Sequence, residues 1–355
     1  MACILKTPDE SKGVISFTSN EVRLQINNKT LDHIIAEQHK WIYLIHHNWQ
    51  PCSHNSFFDA SLCNPGDLVG GGSCLDMDCC NFSPEIYRPG DSTKDIDVLY
   101  ITRAVGFKRL QVFFNTCKEL LRLKPDIKIM LICSIPEEGA SPENPKEEYL
   151  KQFTREERRN FVALFFDYDY PFTLDKYYLA HFYKSSKVFI HAAKGERHSR
   201  LCSYAWASGI PVVGHPDLAT FLPNKFNNEP FFYRVQHDKY YAEQTLKALN
   251  QLESSPMPHD DIKNHVSEEH SIDTLVKRIQ NLPRASGEEF NTKSFYHKNL
   301  DFRMGRHCEI SLGDNSLAIT IPDLMDRAIK YQSEISKSAP DFELELTNYN
   351  NEINN

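Results

Sequence analysis

Apolar and polar positions follow two alternating periods from Asp97 onward, and that alternation predicts most of the architecture. IDVLYIT (96–102) is a short continuous apolar run suited to a strand buried on both faces. RLQVFFNTCKELLRLK (109–124) places apolar residues at 110, 112, 113, 114, 117, 120, 121 and 123, a broad helical stripe. KIMLICS (128–134) is again strand-like. Strand, helix and strand in this order predict a parallel pair with a right-handed crossover. The pattern continues with a charged helix over 144–160, a strand over 161–168, an amphipathic helix over 173–186 and the strand KVFIHAA (187–193). A helix over 195–208 stopped by Gly209, a strand over 210–215, and helices over 240–254 and around 271–281 complete it.

The segments on either side are less regular. VISF (14–17) and EVRLQI (21–26) read as strands, LDHIIAEQH (31–39) as a helix, and WIYLIHH (41–47) as a buried strand ending in polar residues. The opening MACILK contributes only a short apolar patch. Residues 48–95 are rich in Pro, Gly, Asn, Asp and Cys and read as loops, with a domain boundary near their end. Beyond Pro283 one helix is expected within 316–335, followed by a frayed acidic end. The expected organisation is a reduced N-terminal α/β domain (1–91), a doubly wound Rossmann-like domain (92–282) and a C-terminal extension (283–355).

Composition narrows the function classes. The 355 residues are 41% hydrophobic and 25% charged, as in folded globular proteins. With 40 Lys+Arg against 48 Asp+Glu the formal charge is −8, so there is no general attraction to nucleic acid. No apolar run is long enough to cross a bilayer, which leads to the expectation of a cytoplasmic protein. Ten cysteines spread over so long a chain do not imply a disulfide framework. Cys52, Cys63, Cys74, Cys79, Cys80 and His54 lack paired Cys-x2-Cys spacing, and no metal site is expected from them. Gly70-Gly71-Gly72 has no following helix or lysine and reads as a turn, not a phosphate loop.

In an open parallel sheet, ligands bind outside the carboxyl ends of the strands, and three features fall there. The first strand ends in Thr102-Arg103, and Lys108 follows at the start of the next helix. Two cations beside the positive end of a helix suit a pyrophosphate, although solvated surface charges would look the same. The loop Lys194-Gly195-Glu196-Arg197-His198-Ser199-Arg200 puts a permissive glycine, one carboxylate and helix-start N–H groups together. Glu196 suits a helix-start charge or an acceptor for ligand hydroxyls, and spacing does not choose between them. His46 and His47, at the end of an N-terminal strand, are the residues there that would face a cleft; ordinary strand-end histidines fit equally well.

In order, VLYITRAVGFKRLQVFFNTCKELLRLKPDIKIMLI and TLDKYYLAHFYKSSKVFIHAAKGERHSRLCSYAWASGIPVVGH resemble the nucleotide-binding domain of family 4 retaining glycosyltransferases of GT-B fold. NFSPEIYRP is similar to the segment this family carries just before that domain, and the resemblance covers about residues 80–282. It implies a metal-independent transferase that moves a sugar from a nucleoside diphosphate sugar to a glycan, lipid-linked or protein acceptor, with no separate cofactor. Arg103 and Lys108 would hold the diphosphate. Glu196 matches the first acidic residue of the family's Glu-x7-Glu motif, which contacts the donor sugar, and Gly195, Arg197, His198 and Ser199 surround it. The second acidic position is Tyr204, which can make one hydrogen bond to a ribose but not a carboxylate's bidentate contact. The loop holding Tyr170 would lie beside the base, and Asp167-Tyr168-Asp169 is not expected to bind metal. The family usually has a full α/β domain in front, so the expected N-terminal domain is a shortened one. A peripheral membrane or protein partner, a non-catalytic nucleotide-sugar binding subunit, and another doubly wound sugar-nucleotide enzyme such as an epimerase stay open.

Overall fold

The computed structural model describes residues 2–18, 35–46, 52–53, 58–63, 68–69, 74–76, 85–90, 92–135, 144–166, 176–196, 199–219 and 224–295. The chain divides into two units, one made of Met1–Cys80 with Ile272–Asn355 and the other of Asn81–Ser271. These borders differ from 91/92 and 282/283. The contacts of Arg284 and Glu288 explain the second difference. Lys12 donates to the Glu288 carboxylate through its backbone N–H and to the Arg284 carbonyl through Nζ, the latter at 2.7 Å. Arg284 donates to the carbonyls of Gln38 and Trp41 and pairs with Asp59 at 3.2 Å. A guanidinium placed among three acceptors of the first unit ties this part of the chain to it.

The larger unit begins with β8 (Ile96–Arg103), β9 (Ile129–Ser134), β10 (Phe161–Phe166), β11 (Ser186–His191), β12 (Val212–Gly214) and β13 (Phe232–Arg234); β1–β7 belong to the first unit. These six strands form one parallel sheet in the order β10-β9-β8-β11-β12-β13. Counted along this unit that is 3-2-1-4-5-6, the order of a classical doubly wound sheet, and it reverses direction between β8 and β11. Side chains alternate between faces, so each strand feeds two cores. Val98, Tyr100, Leu131, Val188 and Ile190 pack with α1 (Leu110–Leu123), while Leu99, Ile101, Ile132, Phe189 and Val212 pack with α3 (Lys176–Lys184) and α4 (Arg200–Ala207). That double burial is why these strands read as continuous apolar runs.

Two expected helices are shorter than the sequence pattern suggested. The helix over 144–160 is α2 (Pro145–Gln152), followed by a separate turn at Glu157–Arg159. Thr154 and Glu157 form a reciprocal cap: the Thr154 N–H donates to Glu157 Oε2 at 2.7 Å, and the Glu157 N–H to Thr154 Oγ1 at 3.3 Å. A cap of this kind starts a new turn and ends the old one. The helix over 195–208 begins only at Arg200, because Gly195 has φ 75° and Ser199 is extended; it ends as expected at Gly209, φ 71°. The strand β13 was not anticipated, since three residues show no period. Helices α5 (Tyr241–Ser254), α6 (His259–Lys263) and α7 (Glu268–Gln280) follow.

The first unit contains β1 (Ala2–Lys6), β2 (Gly13–Thr18), β3 (Trp41–His46), β5 (Ala60–Cys63) and β7 (Cys74–Asp76) side by side, antiparallel between β1 and β2 and parallel thereafter. The two-residue strands β4 (Cys52–Ser53) and β6 (Leu68–Val69) pair in parallel apart from that sheet. Successive strands from β3 to β7 thus alternate between two sheets, as a coil does. The stretch 48–95, read as loops, supplies four of these strands; two to four residues are too few to show a period, and their partners lie far off in sequence. The expected strand 21–26 lies outside the described residues, as do 31–34 of the expected helix, of which Ile35–Ala36 are helical. The expected helix within 316–335 also lies outside them. Leu5, Val14, Ile15, Trp41, Ile42, Tyr43 and Leu44 are fully buried in this unit.

Candidate functional site

The loops after β8 and β11 leave the sheet at the position where strand order reverses. β8 and β11 are neighbours, with Val98 beside Val188 and Leu99 beside Phe189. The β8 loop passes through a single turn, Gly106–Lys108, and Arg109 then adopts the left-handed conformation (φ 55°, ψ 48°) before α1 starts. Buried Tyr100 donates its hydroxyl to the Lys108 carbonyl at 2.6 Å and fixes that turn from below. Left-handed backbone at a non-glycine residue costs energy, and such strain is found where surrounding structure over-determines a functional turn. Arg109 is held on the other side by an ion pair with Asp238.

Lys108 and Glu196, 88 residues apart in sequence, meet at this edge. Lys108 Nζ donates to Glu196 Oε1 at 2.6 Å and Oε2 at 2.5 Å, and the two side chains are only 10% and 13% exposed. His191, the last residue of β11, lies beneath them and is fully buried. Its Nε2 is 3.2 Å from Glu196 Oε2 and 3.0 Å from Ser199 Oγ, while its Nδ1 accepts the Ala193 N–H at 3.3 Å. The Tyr241 hydroxyl donates to the His191 carbonyl at 3.2 Å. The glycine turn before Glu196 is anchored as well, the Gly195 N–H donating to Asp217 Oδ2 at 3.2 Å and His215 Nδ1 lying 3.1 Å from the same oxygen. On β12, a Cβ at Gly214 would come within 3.0 Å of the His191 carbonyl, so only glycine lets that strand lie so close.

Burial works against charge on both acidic and basic members of this group. It pushes the Glu196 carboxyl up, but His191, the Lys108 ammonium and hydrogen bonds from Lys108 and Ser199 outweigh it, and the carboxyl sits below its ordinary value. Burial pushes the His191 imidazole down to about 4, with Glu196 pulling it up and Lys108 pressing it further down. At neutral pH the site therefore holds a carboxylate beside a neutral imidazole.

Of the residues singled out in the sequence, Lys108, Glu196, Gly195 and Ser199 come together here. Arg103 ends β8 with its side chain exposed, opposite Ser134 in the sheet register, and has no side-chain partner among the described residues. Tyr204, on α4, lies with its ring stacked on Tyr87 at 4.1 Å between centroids and meets Tyr183 edge-on at 6.2 Å. Arg197, His198, Tyr170, His47 and residues 167–169 lie outside the described residues. His46 ends β3 in the other unit, and its side chain lies outside them as well. Of the cysteine group, Cys79, Cys80 and His54 lie outside, and among the described residues no cluster of three or more His, Cys, Asp or Glu is placed to hold a metal. Among the described residues no helix is long and apolar enough to cross a membrane.

His191, Tyr100, Tyr241 and Asp217 were not identified from the sequence. A histidine closing an apolar strand five residues before a carboxylate was the available signal for His191, hidden because KVFIHAA reads as packing.

No family model matches the chain, and no curated protein sequence matches it. Solved structures do. TarM is 12% identical with a TM-score of 0.50, covering 77% of this chain and 55% of that one. A Staphylococcus aureus TarM mutant in complex with fondaparinux, alpha-GlcNAc-glycerol and UDP is 10% identical, TM-score 0.49, covering 68% and 51%. The pneumococcal O-GlcNAc transferase GtfA in complex with UDP and GlcNAc is 11% identical, TM-score 0.46, covering 69% and 52%. The chain spans about half the length of these structures. The likeness to TarM concerns the fold, which is GT-B-like: a doubly wound α/β unit flanked in sequence by the two segments of a second unit.

Proposed function

We propose that this chain is a retaining, metal-independent glycosyltransferase of the family 4 type, acting in the cytoplasm. Its donor is a nucleoside diphosphate sugar and its acceptor a glycan, lipid-linked or protein hydroxyl. The observation that supports this most is the Lys108–Glu196 pair, at 2.5–2.6 Å on the two loops that leave the sheet where strand order reverses. A lysine ammonium has three N–H donors, and Glu196 occupies two of them. The third, with the exposed Arg103 guanidinium, supplies donors for the two phosphates of a donor. In the reaction the bond from the sugar's anomeric carbon to the diphosphate oxygen breaks. Its electrons go to that oxygen, and the acceptor oxygen bonds to the same face of the sugar while its proton passes to the departing phosphate. Lys108, Arg103 and the N–H groups at the start of α4 stabilise the charge as it forms. Glu196 positions Lys108 and accepts from donor-sugar hydroxyls. His46 and His47 are proposed for the acceptor side, and Tyr170, Arg197 and His198 for the donor's nucleotide.

UDP is present with two of the solved neighbours and is therefore the first nucleotide to test, followed by guanosine and adenosine diphosphates. Calorimetric titration of the chain should show saturable binding of one of the three, and the corresponding nucleotide sugar should be hydrolysed or transferred with retained anomeric configuration in the presence of EDTA. Absence of binding to all three would reject the donor-site reading; binding without turnover would support a non-catalytic subunit instead.

A further inference from the structure

A buried histidine at the base of the site has no role in the reaction just proposed. His191 is 0% exposed, yet it approaches the Glu196 carboxylate and the hydroxyl of the residue that precedes α4. A neutral imidazole has one N–H and one bare nitrogen. Nδ1 is bare, because it accepts the Ala193 N–H at 3.3 Å, so the proton resides on Nε2. Nε2–H then donates to Ser199 Oγ at 3.0 Å, and Glu196 Oε2 lies 3.2 Å from the same nitrogen. Ser199 is 3% exposed, and its hydroxyl helps hold the Glu196 carboxyl below its ordinary value. The imidazole N–H and the Ser199 hydroxyl below and the Lys108 ammonium beside it thus surround one carboxylate. The ring cannot turn freely: Tyr100 and Phe189 meet it edge-on, each 6.0 Å away between centroids.

We propose that His191, together with Ser199, is the positioning device of the site, donating from Nε2–H to Glu196 so that the carboxylate stays where it orients the Lys108 ammonium toward a bound diphosphate. This rests on reading the site as a nucleoside diphosphate site. It assigns His191 no contact with the donor: it acts through Glu196. The geometry also explains why Ser199 is buried at a helix start without capping the helix through its side chain, since its hydroxyl is taken up by His191. Lys108 reaches Glu196 only because both oxygens of the carboxylate are turned toward it, and a carboxylate without donors beneath it would be free to rotate toward water.

The test uses two measurements on the whole chain. In the first, long-range proton–nitrogen NMR of histidine-labelled protein, with the His191 signal assigned by its loss in His191→Gln, should show the Nε2–H tautomer without any ligand. An Nδ1–H tautomer, or an imidazolium at pH 7, overturns the proposal. In the second, UDP, guanosine diphosphate and adenosine diphosphate are titrated calorimetrically into wild type, His191→Leu and His191→Gln. Gln places an amide N–H where Nε2–H was, so it should hold affinity within about threefold, whereas Leu should weaken it about tenfold or more. Equal affinity in folded His191→Leu, or equal weakening in both variants, overturns the proposal, since a packing role alone would not be rescued by an amide. If the wild type binds none of the three nucleotides, the donor-site reading fails, and the tautomer still decides whether His191 donates to Glu196.

Discussion

Lys6 in the first unit and Lys108 in the second are both buried lysines, with side chains 0% and 10% exposed. Lys6 donates to the Thr7 carbonyl at 2.9 Å, Asp9 Oδ1 at 2.7 Å and the Ser11 carbonyl at 3.4 Å, so all three N–H groups are used within five residues of chain. Burial lowers its pKa while Asp9 pulls it back up. Among the described residues Lys108 has one hydrogen-bond partner, reached across 88 residues, lies over the neighbouring Phe107 ring at 5.1 Å, and keeps one N–H to spare. The first lysine closes a loop and has nothing left to offer a ligand. The second is held by tertiary structure and keeps an N–H beyond those given to Glu196. Saturation and locality, more than burial, separate a structural cation from the one proposed to bind the donor.

The strongest way to break that comparison is substitution of each lysine. Lys108→Ala should reduce affinity for the bound nucleoside diphosphate about 30-fold or more, because a charge-assisted hydrogen bond to phosphate is worth roughly 2 kcal/mol or more. Lys6→Met should leave that affinity unchanged by calorimetry. Equal losses in both would erase the distinction drawn between them.

Acid should separate the two units next. The folded-state pKa of His191 is about 4, below the ordinary 6.5, so between these values the unfolded chain binds the extra proton and the native state does not. The stabilisation is full above pH 6.5 and is lost as pH falls toward 4. Between pH 7.5 and pH 5 this amounts to about 2 kcal/mol. Glu196, held below its ordinary value, adds a loss in the same direction at lower pH. Urea unfolding followed at the second unit should show the larger slope, reduced in His191→Gln; a slope identical in wild type and variant would contradict the buried neutral histidine.

Lys6→Met should then cost about 1–2 kcal/mol of local stability, since two carbonyls lose a charged donor, while Asp9 at 38% exposure regains water. Amide exchange in β1 and β2 should accelerate, with β8 and β11 unaffected. The smallest effect is expected at Arg103. As an exposed cation it should weaken nucleotide affinity only about five- to tenfold when changed to Ala, and should flatten the salt dependence of binding. An effect as large as that of Lys108→Ala would mean that Arg103, not Lys108, is the main phosphate contact.

How much could be read beforehand followed from how local each feature is. The sheet strands β8 to β12 were legible because burial on both faces makes a strand continuously apolar. The strands β4 to β7 were not, because at two to four residues only their distant partners define them. The capped break at Thr154 was present in the letters T-R-E-E but masked by a run of good helix formers on either side. Within the site, Lys108 and Glu196 stood out as charges at strand ends. That they touch each other, and that His191 lies beneath them, followed only from the pairing of β8 with β11.

By itself, then, the sequence determined the alternation of strand and helix, the placement of cations and a carboxylate after particular strands, and the glycines that free the backbone at 195 and 209. Each of these is set by side-chain period or backbone sterics over a few residues. Tertiary structure decided which strands are neighbours, which charges are neutralised, and that one imidazole is kept uncharged in the interior. Those depend on groups brought together from residues about ninety apart, where desolvation and Coulomb attraction act at distances that no local pattern encodes.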